Sequence, residues 1–275
     1  MTPKSILALV DGSALSEATL DTAVSVAKIF GAQLEALHVR ADPATLVPIV
    51  GEGMSGAMVE QVMDAMAKSV EGRTQRARAA YDRVAAKGGV PITWRQETGP
   101  EPVVLASAGR LVDLSVLARP DAAADGQMAA SLDSALFDTG RPVLVAPPTS
   151  PASVGKRVAI AWNGSAQASR VVSAAIAYLE KADMVAVLSA PGFDKRAPAE
   201  ALVAYLAKHN VKAIVQSVEL HGKSVGQALL EQARQLDCDL LVMGAYGHSR
   251  LREMILGGAT REVLAHSKIS VLMAH

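Results

Sequence analysis

Short apolar stretches alternate with longer segments of helical period along the whole chain. Runs such as "SILALV", "RVAIAW" and "DLLVM" are rich in Val, Ile and Leu, which is typical of strands buried on both faces of a sheet. Strands of this kind separated by helical segments are the signature of βαβ units. The pattern therefore predicts an α/β fold with parallel, doubly wound, Rossmann-like sheets.

The same order of elements occurs twice. "SILALVDGSALSEATLDTAVSVAKIFGAQLEALHV" and "RVAIAWNGSAQASRVVSAAIAYLEKADMVAVLSA" share a strand, an [Asp/Asn]-Gly-Ser turn, a helix and a second strand, and the halves close on "PVLVAPP" and "SVLMAH". We predict two tandem five-stranded domains, residues 1–148 and 154–275, joined by a short exposed linker within "APPTSPASVG". The predicted strands are residues 5–11, 33–40, 91–97, 113–118 and 142–146, then 156–162, 183–189, 212–219, 239–244 and 269–274.

One segment departs from this symmetry. Residues 51–87 have a much shorter counterpart near residues 198–210, and they carry Met54, Met58, Met63 and Met66 at near-helical spacing. The favoured interpretation is a core-facing stripe on a long second helix, because Met commonly fills gaps in cores. A soft surface for a ligand or a partner is the alternative.

Composition excludes several classes of protein. Among 275 residues, 27 Lys and Arg balance 27 Asp and Glu, and there are only two Trp, four Tyr and three Phe. Nucleic-acid binding is therefore disfavoured, since it usually needs a basic face and often stacking rings. Cys238 is the single cysteine, which excludes an internal disulfide and a cysteine-clustered zinc site.

The N-terminal segment "MTPKSILALVDGS" lacks the layout of a signal peptide, because Asp11 interrupts its apolar run. Apolar runs elsewhere are far shorter than the roughly 20 residues needed to span a bilayer. We expect a cytoplasmic protein with no membrane partner.

Glycines mark a candidate binding site in the second half. Gly244 and Gly247 follow a buried strand, and Gly257 and Gly258 lie one short segment later. They either turn the chain only, or they allow backbone N–H groups to approach a phosphate. Ligands of doubly wound sheets bind at the carboxyl ends of strands, so we expect the turn at 163–165 to meet this segment there.

A helix beginning near Ser249 would direct its positive N-terminal end toward the same place. His248 and Arg250 could add charge there, although both are equally compatible with a solvated helix face. The glycines alone prove little, but their position between a strand and a helix strengthens the hypothesis.

The pattern Gly-x2-Gly-x9-Gly, from Gly244 through Gly247 to Gly257, resembles the nucleotide-binding signature of the universal stress protein family. The [Asp/Asn]-Gly-Ser turns match as well, so the resemblance covers nearly the whole chain as two tandem domains. It implies a five-stranded parallel α/β sandwich and, in many members, an ATP site. It also implies that domains pair through their last strands.

Carried onto this sequence, the resemblance implies a site for ATP or another adenine nucleotide, with or without Mg²⁺. Asn163 takes the place of the usual Asp near the ribose and base, and the backbone near Ser189 and Ala190 faces the adenine edge. The complete set of candidate binding residues is Asn163, Gly164, Ser189, Ala190, Gly244, Gly247, His248, Gly257, Gly258 and Ala259.

One position departs from the family pattern. Gly258 stands where the family usually has Ser or Thr, and Thr260 lies two residues further on. Loss of a neutral hydrogen bond typically costs about 0.5–1.5 kcal/mol, so weaker or altered nucleotide preference is expected.

The first half keeps "VDGS" but lacks the glycines. Ala118 and Asp121 replace Gly244 and Gly247, while Ala129 and Ala130 replace Gly257 and Gly258. Side chains would crowd a phosphate and Asp121 would repel it, which predicts a degenerate first site. Asp11 is interpreted as a turn-forming acid whose side chain bonds nearby N–H groups.

Other motifs give no site. The "GKS" at 222–224 lacks the first glycine of a P-loop, and we interpret it as a helix start with Ser224 as N-cap. The six histidines have no metal-ligand spacing, so a metal site is not expected. Serine catalysis is not expected either, because the one G-x-S-x-G match, at residues 222–226, lies in this same helix start.

Three hypotheses about function remain. The leading one is a stress-response regulator, not a dedicated enzyme, that binds an adenine nucleotide in its second domain. The second is a stress scaffold that binds no nucleotide and keeps its glycines for turns and helix packing. The third is an enzyme of the wider adenine-nucleotide α/β group, which "WNGS" does not favour. The last strands of the two halves should pair within the chain, and further homodimerisation is left open.

Overall fold

The computed structural model describes residues 2–42, 56–120, 126–190, 197–245 and 258–275. Strands and helices alternate along these ranges. The strands are β1 Ser5–Leu9, β2 Gln33–Arg40, β3 Ile92–Thr98, β4 Leu114–Ala118, β5 Val143–Ala146, β6 Arg157–Ala161, β7 Met184–Ser189, β8 Ile214–Ser217, β9 Leu240–Gly244 and β10 Ser270–Ala274. The helices are α1 Ser16–Phe30, α2 Gly56–Ala86, α3 Glu101–Gly109, α4 Gly126–Asp138, α5 Ala166–Leu179, α6 Ala199–Ala207, α7 Val225–Gln235 and α8 Ala259–His266. All ten predicted strands are present, each with bounds close to the prediction.

The strands form one sheet in the order β3-β2-β1-β4-β5-β10-β9-β6-β7-β8. Within each half every neighbouring pair is parallel, as between β1 and β4, where Ile6 lies opposite Leu114. In the first half the chain winds outward from β1 to β2 and β3, then returns to β4 on the other side. The second half repeats this around β6 and β9. The order therefore reverses between β1 and β4 and between β6 and β9, which is where ligands of doubly wound sheets bind.

The two halves join through their last strands. β5 and β10 pair antiparallel, with Val145 opposite Val271 and Leu144 opposite Leu272. Both strands would otherwise be apolar edges, which are a pairing liability. The predicted pairing of the halves within the chain is confirmed.

Two apolar layers, one on each face of the sheet, continue through both halves. Leu144 and Leu272 belong to one layer, whereas Val145 and Val271 belong to the other, because side chains alternate along a strand. Near the junction, the rings of Phe30 in α1 and Tyr178 in α5 meet edge to face at 4.7 Å. The halves thus share their cores as well as their sheet.

The segment between the halves is held more firmly than the predicted exposed linker. Asp239, just before β9, accepts hydrogen bonds from the N–H groups of Gly155, Lys156 and Arg157 at 3.0–3.1 Å. Asp113, just before β4, does the same for the N–H groups at the start of β1. Only residues 149, 150 and 152 of the segment 147–155 are exposed, so the linker is short and anchored.

Helix α2 does not carry its methionines into the core. Met58 is 53% exposed and Met63 and Met66 are half-buried, so the core-facing interpretation is wrong for these three; Met54 lies outside the described residues. The residues of α2 that are buried lie later in the helix, at Val70, Ala77, Ala80 and Val84. Residues 57–69 of this 31-residue helix include no fully buried side chain. Among the described helices, none combines the length and the apolar content needed to cross a membrane.

The shared core predicts that the junction contributes strongly to stability. Leu144→Ala should lower the free energy of unfolding by about 2–5 kcal/mol, because its side chain is fully buried between the halves. Ile214→Ala, on the edge strand β8 where the side chain is 54% exposed, should change it by about 0.5 kcal/mol or less. Urea unfolding measures both. Equal effects of the two variants would contradict the shared core.

Candidate functional site

In the second half, local hydrogen bonds build the turn that follows β6. The side-chain Oδ1 of Asn163 accepts a hydrogen bond from the N–H of Ser165 at 3.1 Å. The Oγ of Ser165 accepts one from the N–H of Ala168 at 3.2 Å, which makes Ser165 the N-cap of α5. Asn163, Gly164 and Ser165 are all half-buried. The turn therefore presents a neutral amide and the start of a helix at the carboxyl end of the sheet.

Gly244, the last residue of β9, lies against the first turn of α5. A Cβ atom added at Gly244 would come within 2.6 Å of the backbone nitrogen of Ala168 and 2.9 Å of the carbonyl carbon of Gln167. Real Cβ atoms do not approach backbone so closely, so this packing alone requires glycine here. The structure brings Gly244 and the 163–165 turn together. The contact with α5, however, explains the glycine at position 244 without any ligand.

Ser189 is the last residue of β7, which pairs with β6, and Ala190 follows it. The carbonyl of Ser189 already accepts a hydrogen bond from the N–H of Val218 at 2.8 Å, and Ala190 is buried. Beside them, the indole N–H of Trp162 donates to the carbonyl of Ala197 at 2.8 Å. A nucleotide base bound here would therefore form its hydrogen bonds with backbone groups other than the Ser189 carbonyl.

Gly258 and Ala259 begin α8. Gly258 is its N-cap, and its carbonyl accepts hydrogen bonds from the N–H groups of Arg261 and Glu262. The carbonyl of Ala259 packs against Gly226 in the first turn of α7, where an added Cβ would be 3.0 Å away. In the same place the hydroxyl of Ser224 donates to the carboxylate of Glu262. Ser224 also caps α7, which confirms the interpretation of "GKS" as a helix start.

Several candidate positions fall outside the described residues. Gly247, His248 and Gly257 are among them, as are the predicted helix start at Ser249 and the first-half Asp121. The phosphate-binding part of the site therefore stays a prediction.

The equivalent turn in the first half is closed by α2. Nε of Arg73 donates to the carbonyl of Asp11 at 3.1 Å, and Nε of Arg76 donates to the carbonyl of Gly12 at 3.0 Å. A Cβ atom added at Gly12, whose φ is +79°, would lie 2.3 Å from the carbonyl oxygen of Arg73. The backbone of α2 therefore occupies the space above this turn.

The structure confirms the predicted role of Asp11 as a turn-forming acid. Its Oδ1 accepts hydrogen bonds from the N–H of Ser13 and the hydroxyl of Ser16, and the side chain is buried. The missing glycines and Asp121 predict a degenerate site in this half, but they do not indicate the contacts of Arg73 and Arg76 with the turn. The extra length of residues 51–87 was the available signal.

The two turns differ in access. Asp11 and Gly12 are buried, whereas Asn163 and Gly164 are half-buried. The element that follows β2 is the 31-residue α2, whereas the helix that follows β7 is the nine-residue α6. The same fold therefore has a buried turn in the first half and a half-buried, more accessible turn in the second half.

His38 links the closed turn to α2. Its Nδ1 lies 2.7 Å from the carbonyl of Val10, so Nδ1 is the donor, and its Nε2 lies 3.1 Å from the hydroxyl of Thr74. Burial is the main cause that lowers the pKa of His38; the nearby Arg73 lowers it too, while the bond to Val10 and the charge of Asp11 oppose the shift. His38 is therefore a neutral structural bridge.

Comparison with known proteins agrees with this architecture. The sequence model of the Universal stress protein family matches residues 2–118 and again residues 155–275. The chain therefore belongs to the universal stress protein family, as a tandem member with two copies. It is 26% identical to a universal stress protein of a Synechocystis strain over 98% of this chain and 99% of that protein.

Solved structures show the same fold. A universal stress protein from Archaeoglobus fulgidus covers 100% of this chain and 96% of its own, with a TM-score of 0.66 at 17% identity. A putative universal stress protein from Pseudomonas aeruginosa covers 99% of this chain and 93% of its own, with a TM-score of 0.60 at 16% identity. At these identities the likeness concerns the fold alone.

The contact at Gly244 predicts a cost for any side chain there. Gly244→Ala should lower the free energy of unfolding by about 1–3 kcal/mol, because the new methyl group would displace the first turn of α5. Gly126→Ala is the control, since no atom lies within 4 Å of an added Cβ there and α4 favours alanine. Urea denaturation compares the two. An unchanged stability of the Gly244 variant would show that α5 is not packed this closely.

The neutral His38 predicts a pH dependence of stability. Below about pH 6.5 the unfolded chain binds a proton at this residue more readily than the folded chain does, so the free energy of unfolding should fall as the pH is lowered from 7.5 to 5. His38→Gln should make this dependence shallower. His221→Gln, at a histidine whose side chain is 74% exposed, is the control. A His38 variant with the full wild-type slope would assign the effect to other groups.

Proposed function

We propose that this protein is a stress-response regulator that binds one adenine nucleotide, ATP or a related molecule, in its second half. The observation that supports this most is the asymmetry of the two turns. Both follow the first strand of a half at the point where the strand order reverses, but α2 covers only the first. The first half then serves as a closed partner that completes the sheet.

The chemistry of the accessible turn suits a polyphosphate. Asn163 is a neutral amide where the first half has the carboxylate of Asp11, so a negative charge is absent from the place that a nucleotide would occupy. Its Oδ1 is used by the Ser165 N–H, which leaves the amide NH₂ as a donor for a ribose hydroxyl. Gly247, Gly257 and the backbone of Gly258 and Ala259 would hold the phosphates, with or without Mg²⁺.

Catalysis is not part of this proposal. An amide at position 163 cannot take a proton as a carboxylate can, so it offers no general base beside the nucleotide. We expect at most slow hydrolysis of ATP. A cytoplasmic location and homodimerisation through another surface remain expectations of the same kind.

A second candidate function rests on Gly244. Because close packing against α5 already explains this glycine, the chain is also compatible with a stress scaffold that binds no nucleotide. Gly258 in place of the usual Ser or Thr points in the same direction. The two candidates differ in one property that can be measured directly.

Isothermal titration calorimetry with ATP makes that distinction. We expect one site per chain, and loss of binding in Gly247→Val, because a branched side chain would fill the phosphate position. The matched variant Asp121→Val, at the corresponding position of the first half, should bind like the wild type. Two equal sites, or unchanged affinity in Gly247→Val, would contradict the proposed site, and no heat with the wild-type chain would favour the scaffold.

A further inference from the structure

A second concave site lies in the first half, between the carboxyl end of β2 and the face of α2. It is a cavity of about 210 Å³. Its polar lining comes from His38 and Arg40 of β2, from Ser69, Arg73 and Thr74 of α2, and from Gln127 in the first turn of α4. Val39, Ala41, Met66 and Val70 supply the apolar part of the wall.

The charged groups of this cavity are two arginines. Arg40 ends β2, and its Nε is buried without a hydrogen-bond partner among the described residues. Its Nη2 is 3.9 Å from a carboxylate oxygen of Glu71, with both side chains about half exposed, so this ion pair is weak. Leaving a buried, charged N–H group without a hydrogen bond costs free energy. Such a group therefore marks a place where a hydrogen-bond acceptor would be stabilised.

Arg73 is fixed in position by neutral acceptors. Its Nε and Nη1 donate to the carbonyl of Asp11 and to Oε1 of Gln127, at 3.1 and 3.0 Å. In the described part of the chain, no carboxylate lies within ion-pair distance of this guanidinium. The Asp11 carboxylate is close enough to influence His38, but Ser13 and Ser16 occupy its Oδ1. Among the described residues, the lining of this cavity therefore carries net positive charge, and hydrogen bonds hold Arg73 in place.

We propose that this cavity binds a small organic anion through a carboxylate or phosphate group held by Arg40 and Arg73. Planar guanidinium groups match both kinds of acceptor with paired hydrogen bonds. The hydroxyl groups of Ser69 and Thr74 and the amide of Gln127 border the same space and suit the polar body of such a molecule. Val70 and Met66 would contact its carbon atoms.

The size of the cavity separates this ligand from a nucleotide. At about 210 Å³ it is smaller than the roughly 300–1,000 Å³ typical of sites for drug-sized molecules. Arg73 and Arg76 also close the neighbouring turn at Asp11 and Gly12, where a ribose would have to lie. The site proposed here is independent of the nucleotide site in the second half.

Titration of the full chain at low ionic strength with inorganic phosphate and, separately, with succinate tests this inference. Calorimetry gives the affinity. Tryptophan fluorescence is a second readout, because Trp94 stacks on His38 with ring centroids 5.9 Å apart. We expect at least one probe to bind at one site per chain and to change this fluorescence. Binding of phosphate alone would assign a phosphate ligand, and binding of succinate alone a carboxylate ligand.

Three variants localise the binding. Arg40→Gln should weaken it at least tenfold, and Arg40→Lys, which keeps the charge but lacks the Nε donor, should weaken it less. Arg234→Gln makes the same charge change at an exposed ion pair in the second half and should bind like the wild type. Unfolding curves verify that each variant is folded. Absence of binding by both probes, or unchanged affinity in Arg40→Gln, would overturn the proposal.

Discussion

The antiparallel pairing of β5 with β10 is the interaction on which the whole molecule depends. It joins two five-stranded sheets into one ten-stranded sheet and places Leu144, Val145, Val271 and Leu272 in cores that both halves share. A tandem chain brings the two edges together at high effective concentration, so the pairing costs little entropy of association. The result is a pseudo-symmetric unit. Each half keeps its own reversal of strand order, between β1 and β4 and between β6 and β9.

Within that symmetric frame, one helix makes the halves different. In the first half the backbone of α2 contacts Gly12, and Arg73 and Arg76 hold the carbonyls of the turn. In the second half the next described helix after β7 is the short α6, and the turn at Asn163 is half-buried. The same helix that closes one turn also creates the arginine-lined cavity beside it. The difference in burial between the two turns therefore accompanies the difference in length between α2 and α6.

Most of the fold could be predicted from the sequence, because buried parallel strands appear as unbroken apolar runs. Internal repetition then set the domain count, and the last strand of each half predicted the junction. The role of α2 could not be predicted in the same way. Its helical period was visible, but the side chains that contact the Asp11 turn are separated from it by about sixty residues along the chain. The local pattern of apolar residues does not indicate contacts between residues so far apart in the sequence.

The candidate site was predictable only in part, for a similar reason. A glycine pattern indicates that space near the backbone is needed, but not what fills that space. At Gly244 the occupant is the first turn of α5, and at Gly12 it is the backbone of Arg73. Asn163 and Ser165 were identified correctly as the turn, while the bond from Val218 to the Ser189 carbonyl depends on strand β8 and had no local signal.

We propose that the second-half turn is open to a nucleotide, whereas α2 closes the first-half turn. Hydrogen exchange of backbone amides, followed by mass spectrometry with and without ATP, tests this most directly. We expect slow exchange at residues 12–16 in the free protein, with no change on adding ATP. We expect faster exchange at residues 164–168 that becomes slower with ATP. Equal exchange of the two turns in the free protein, or equal protection of both by ATP, would contradict the proposal.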